Sequence, residues 1–139
     1  MSTEPIPVCL HCHSSLSDGA FPPEELAGLL AARGVRYAAL TDHDTVAGLE
    51  SFREALARSG VAAISGVEIT VASAAGELHL LAYGFAAEDA TLAAILEDAR
   101  RHGRGKPVAS PASGRVIRAV HDAGGAVFLA HPLSYGLAA

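Results

Sequence analysis

His11 and His13 stand two residues apart in Leu10-His11-Cys12-His13-Ser14. In an extended chain that spacing turns both imidazoles to one face. Two imidazoles side by side at a strand end commonly begin a metal site, although a pair alone is equally the polar end of a strand. Further residues add to it. Ser17-Asp18-Gly19 follows, where a turn can return a carboxylate to the same mouth; an ordinary turn aspartate has the same composition. Thr41-Asp42-His43-Asp44 offers His43 as a ligand, Asp42 as a partner orienting ligands from behind, and Asp44 as a cap for the next helix. Gly66-Val67-Glu68 presents a carboxylate that can bridge two ions. His79 lies in the apolar run Leu78–Leu81, where an unpaired imidazole is costly, so it is either a ligand or a hydrogen-bonded core histidine. His131-Pro132 closes the last apolar run. Donors of these types suit divalent ions, which in turn activate water for hydrolysis.

The elements that must carry these residues alternate along the chain. A strand is expected at Val8–His11, then a helix opened by Pro22-Pro23-Glu24-Glu25 and ended by Gly34. A strand at Tyr37–Thr41 leads into a helix capped by Asp44 or Thr45 and stopped at Gly60. Val61–Ile64, Val67–Val71 and Leu78–Tyr83 read as strands, Glu88–His102 as a helix with Leu92, Ile95, Leu96 and Ala99 on one face. After a basic link at Arg104–Ala112, a helix at Ser113–Ala123 stops at Gly124-Gly125, and Ala126–Ala130 reads as the last strand. The pattern predicts an α/β fold with a mainly parallel sheet of five or six strands. In such folds functional side chains gather on loops at the strands' C-terminal ends. His11, His13, Asp42, His43, Glu68 and His131 all fall there.

The chain's 139 residues give room for one domain, residues 1–139, with one core. Half the residues are hydrophobic and 18% are charged, the balance of a folded soluble protein. A net charge of −5 argues against a general nucleic-acid coat but not against a small phosphorylated substrate. No apolar stretch is long enough to cross a membrane, and residues 1–10 lack the basic start and apolar run of a secretory signal. A cytoplasmic protein is expected.

In their order, Leu10-His11-Cys12-His13-Ser14, Ser17-Asp18-Gly19, Thr41-Asp42-His43-Asp44 and Gly66-Val67-Glu68, then the histidine strand ending in Tyr83-Gly84 and Ala130-His131-Pro132, resemble the motifs of the PHP (polymerase and histidinol phosphatase) family. The subgroup they resemble most is the small metal-dependent phosphoesterases. The resemblance implies a distorted β/α barrel, here partial, binding up to three divalent ions (Mn, Zn or Fe) with two expected to be filled. It implies that His11, His13 and Glu68 hold one ion, Glu68, His79 and His131 a second, and Asp18 and His43 a third. It further implies hydrolysis of a phosphate ester of a nucleotide, an RNA end or another small phosphorylated substrate, with His43 and His131 as candidates to assist the leaving group. The family's final Asp-x-His motif does not occur in the chain, which leaves its ligand set incomplete. The alternative expectation is therefore a non-catalytic metal-binding or interaction module, and a homo-oligomer is among the expected states.

Two weaker signals accompany these. Cys9-Leu10-His11-Cys12-His13 matches the Cys-x-x-Cys-His pattern of haem attachment. On a strand, however, Cys9 and Cys12 would face opposite ways, and Cys9 reads better as a small buried residue. Arg100, Arg101, Arg104 and Lys106 cluster at a helix end, where they suit the helix dipole. One of Arg101 and Arg104 is a candidate clamp for substrate phosphate. His102 and His121 are read as surface residues.

Overall fold

A two-residue link between strands permits only a hairpin, because a parallel return needs a crossover of a dozen residues or more. Ser73-Ala74-Ala75-Gly76 is such a link, and it shapes half of the molecule. The computed structural model describes residues 5–102 and 110–136. Its first sheet has strands β1 (Val8–Cys9), β2 (Tyr37–Ala39) and β3 (Ala62–Ile64), parallel and in that order. Helices α1 (Pro23–Ala32) and α2 (Leu49–Arg58) supply the crossovers. The second sheet is antiparallel: β4 (Gly66–Ser73) and β5 (Gly76–Tyr83) form the hairpin, and β6 (Ala126–Leu129) joins β5. Between β5 and β6 lie α3 (Ala90–His102) and α4 (Ser113–Asp122). The expected α/β class and strand number hold, but the mainly parallel sheet does not. Three strands pair in parallel and three antiparallel, and the hairpin link is the reason for the β4–β5 pair.

Each sheet buries one face under its own helices. Ala27, Leu30, Ala38, Leu40, Phe52 and Leu56 fill the first core. Val67, Ile69, Val71, Leu80, Leu92, Ile95, Val116 and Val120 fill the second. Val8, Tyr37 and Phe128 are exposed on the strands, and Ile6 and Leu10 are exposed beside β1. No helix among the described residues is long and apolar enough to cross a membrane.

Two local expectations are corrected. Asp44 caps no helix: α2 begins only at Leu49, behind Gly48, and the Asp44 side chain turns to β4 instead. Cys9 and Cys12 do not face opposite ways, because β1 ends at Cys9; both half-buried thiols pack against the first core.

Candidate metal centre

The backbone around Cys12 is fixed on both sides, and this aims the histidines flanking it. Thr41 N–H and Thr41 Oγ1 donate to the Cys12 carbonyl at 2.9 and 3.0 Å, while Cys12 N–H donates to Thr41 Oγ1 at 3.1 Å. The chain then folds back tightly. Gly19 N–H reaches the Ser14 carbonyl at 2.8 Å, and a Cβ on Gly19 would sit 1.9 Å from the His13 carbonyl oxygen. Only glycine fits that approach, and it is what returns Asp18 to His13.

His43 and Glu68 meet where the two sheets join. Residues 43 and 68 form an isolated parallel bridge, with Asp44 N–H donating to the Glu68 carbonyl at 2.9 Å. Gly66 allows the crossing, since a Cβ there would lie 2.7 Å from the Leu40 carbonyl oxygen. His79 sits on β5 opposite Thr70. Its N–H donates to the Tyr135 hydroxyl at 3.0 Å, and its carbonyl accepts from Ala130 N–H at 3.0 Å. His131 follows β6 in a left-handed conformation, φ 32°, with its ring 5.4 Å from that of Tyr135.

Five imidazoles therefore surround one carboxylate that is 1% exposed. Glu68 Oε2 lies 2.9 Å from His11 Nε2, 3.1 Å from His13 Nε2 and 3.6 Å from His43 Nε2. Oε1 lies 2.9 Å from His131 Nε2 and 3.3 Å from His79 Nδ1. Asp18 closes one side, 3.4 Å from His13 Nδ1 and 3.5 Å from His43 Nε2. Burial works against the charge on Glu68. Hydrogen bonds from His13, His79 and His11, with the His43 charge, outweigh it and hold the carboxyl well below the usual carboxylate range. The same contact raises His13, with burial opposing.

This donor set fits divalent ions. Three groups have ligand atoms within 4.8 Å of one another: His11–His13–Glu68, His13–Asp18–His43 and His43–Glu68–His79. His79 Nε2 is buried without a hydrogen-bond partner among the described residues, a cost that metal coordination would remove. Neutral imidazole and carboxylate are the donors that zinc, manganese and iron accept.

All seven expected ligands thus lie within one cluster. His131 reaches both Glu68 and His79, the latter at 3.4 Å between ring nitrogens, while the second group brings His13 beside Asp18 and His43. Asp42 is 1% exposed and bonds to the loop before α1. Arg101 stands apart, paired with Glu97 at 2.7 Å on the exposed face of α3. Arg104 lies outside the described residues. His102 pairs with Asp98, and His121 is exposed. A cavity of about 360 Å³ beside α2, lined by Phe52, Ile64 and Phe85 among others, contains none of the ligands. Sequence reading missed Ser14, Ser17, Thr70 and Tyr135, which hold ligand segments through long-range bonds that leave no local pattern.

A 3′,5′-nucleoside bisphosphate phosphatase of Chromobacterium violaceum is 40% identical over 91 residues, 66% of this chain and 32% of that protein. A 5′-3′ exoribonuclease of Haemophilus influenzae is 38% identical over 88 residues, 63% of this chain and 32% of its own. The chain thus spans about a third of the length of these curated relatives. Among solved structures, one from Bifidobacterium adolescentis assigned as a metal-dependent phosphoesterase superposes with a TM-score of 0.82 at 22% identity, covering 89% of this chain and 66% of that one. An amidohydrolase from Chromobacterium violaceum, solved with bound sulfate and no metal, gives 0.83 at 25% identity, covering 94% and 69%. The PHP domain model matches residues 10–103, well over half of the sequence, and the chain belongs to the PHP domain family.

Proposed function

We propose that this chain carries the ion-binding part of a metal-dependent phosphoesterase acting on a nucleotide-like or other small phosphorylated substrate. One observation carries the reading: side chains from well-separated segments converge on the buried Glu68 carboxylate. Divalent ions held there would neutralise a phosphate and bring bound water towards its hydroxide form near neutral pH.

In this reading Glu68 would be shared between two ions, His11 and His13 helping to hold one and His79 and His131 the other. Asp18 and His43 would hold a third less firmly. His11 and His131 form the open rim, with side chains 35% and 40% exposed, whereas the His43 side chain is 9% exposed. Of the two histidines considered for the leaving group, His131 is therefore the better placed to meet solvent and substrate. The six strands are read as part of a barrel whose inner wall includes Val8, Tyr37 and Phe128. A cytoplasmic setting, in which the two free thiols stay reduced, belongs to the same proposal.

Relatives named for a bisphosphate phosphatase and an exoribonuclease suggest the substrates to try. Chelator-stripped protein reloaded with Mn²⁺ is assayed for phosphate release from a 3′,5′-nucleoside bisphosphate, a 5′-phosphorylated oligoribonucleotide and a generic phosphomonoester. Release that Glu68→Gln abolishes is expected; absence of metal uptake would sink the proposal. Uptake without turnover supports the second reading, a binding or interaction module, which the exposed apolar side chains favour.

A further inference from the structure

His43 stands between two buried carboxylates, and neither belongs to the metal-ligand groups. Asp42 is 1% exposed and Asp44 is 5% exposed. We infer that both are positioning residues, Asp42 fixing the His13–Asp18 loop and Asp44 fixing the Glu68 strand, each to the segment that carries His43. The inference rests on reading His13, Asp18, His43 and Glu68 as ligands.

The Asp42 carboxylate accepts its hydrogen bonds from the loop. Ser14 N–H and Ser14 Oγ donate to it at 2.6 Å each, and Ser17 Oγ donates at 2.7 Å. Ser17 Oγ also lies 3.5 Å from His13 Nδ1. A hydroxyl has one proton, and at this spacing it goes to Asp42. The oxygen then turns lone pairs to His13, which favours the tautomer with its proton on Nδ1. With Nδ1 keeping its proton, His13 Nε2 is the nitrogen that would exchange its hydrogen bond to Glu68 for an ion.

Asp44 acts on the other side. Its left-handed backbone, φ 56°, is uncommon for a residue with a side chain. It is held there by three bonds to β4: its N–H donates to the Glu68 carbonyl at 2.9 Å, and its carboxylate accepts Thr70 N–H and Thr70 Oγ1 at 2.7 and 2.8 Å. These bonds grip β4 at Glu68 and again two residues on. A carboxylate here does what a neighbouring strand's carbonyl does elsewhere along a sheet.

The test measures Mn²⁺ affinity by calorimetry and the melting temperature of ion-free protein for Ser17→Ala, Thr70→Val, Thr70→Ser, Asp42→Asn and Asp44→Asn. Ser17→Ala and Thr70→Val should each weaken Mn²⁺ binding about tenfold to a hundredfold, the usual range for residues behind a ligand. Thr70→Ser, which keeps the hydroxyl, should bind normally. Adding Ser17→Ala to Asp42→Asn, or Thr70→Val to Asp44→Asn, should cost little more than the aspartate change alone, whereas Ser17→Ala with Thr70→Val should multiply. Should the aspartate variants fail to fold, the serine and threonine variants decide. Mn²⁺ binding within about twofold of the unaltered protein in both Ser17→Ala and Thr70→Val would overturn the inference. So would losses that follow the melting temperature and are not rescued by Thr70→Ser. Equal Mn²⁺ binding by Glu68→Gln and the unaltered protein would instead overturn the reading of the site, and this inference with it.

Discussion

Glu68→Gln separates what the centre does for ions from what it does for the fold. The substitution keeps the shape but removes the charge, and it places amide N–H groups where one carboxylate oxygen stood. On the Oε2 side those donors would face His11 and His13 at 2.9 and 3.1 Å; on the Oε1 side they would face His131 and His79 at 2.9 and 3.3 Å. Either orientation blocks one edge to a cation, and neither supplies a charge. Two unit charges about 4 Å apart interact by roughly 4 kcal/mol at an effective dielectric constant near 20. A doubly charged ion at bonding distance gains more, so that figure is a floor. At about 1.4 kcal/mol per tenfold, affinity should fall by at least a thousandfold or so. Glu68 belongs to two of the three candidate groups, and both should be lost together. Without ions the carboxylate is still held by its histidine hydrogen bonds, which an amide replaces only in part, so the ion-free variant should melt somewhat lower than the unaltered protein. Calorimetric Mn²⁺ titration and thermal melts in chelator read the two effects. A variant that still binds two ions within about tenfold of normal affinity would refute the reasoning.

His79→Ala should lower metal content, read by elemental analysis, more than Asp18→Ala, because the Asp18 side chain is 43% exposed at the edge of the cluster; equal losses would contradict this. Ion-free protein should lose stability as pH rises past about 6.5, read by melts between pH 5.5 and 8.5. His13 is raised above its ordinary 6.5, so its contribution is present below that value and vanishes through its folded pKa, while Glu68, held low, stays ionised across the window. Excess Mn²⁺ should reverse the slope, because imidazoles bind metal deprotonated. Gly19→Ala should lower both Mn²⁺ affinity and melting temperature, since its Cβ meets the His13 carbonyl at 1.9 Å. The exposed apolar side chains of Ile6, Val8, Tyr37 and Phe128 should enhance the fluorescence of a hydrophobic dye, and Phe128→Ser should reduce it.

The positions from which the centre is built were legible in the sequence because its residue types cannot sit just anywhere. Imidazoles at His11 and His13 share a face, and the donors at 42–43 and 131 follow strand-like apolar runs, whereas Glu68 stands near the start of β4 and not at a strand's end. Their convergence required only that the runs align. The antiparallel hairpin was also written in the chain, at Ser73-Ala74-Ala75-Gly76, but the rhythm of alternating strands and helices overrode it. Asp44 had a local reading as a cap and a distant one as the partner of Thr70, and sequence shows only the first. Ser14 and Ser17 bond to an aspartate 25 to 28 residues away, and Tyr135 to a backbone amide 56 residues away, spacings that carry no periodic signal.

The buried residues of the two cores come from successive stretches of the chain, with Val46 and Leu49 reaching across to the second. One is built from residues between 27 and 61, the other from residues between 67 and 120. His11, His13, Asp18 and His43 come from the first half, whereas Glu68, His79 and His131 come from the second. An ion held by His11, His13 and Glu68 is therefore a crosslink between two folding units, and its binding energy appears only when both are formed and docked. Without it, the seam is held by the Val46 and Leu49 contacts and the backbone bridge, so amides such as Asp44 and Glu68 should exchange with solvent through local opening. With it, the same amides exchange only when the whole chain unfolds, and the protein melts as one cooperative unit.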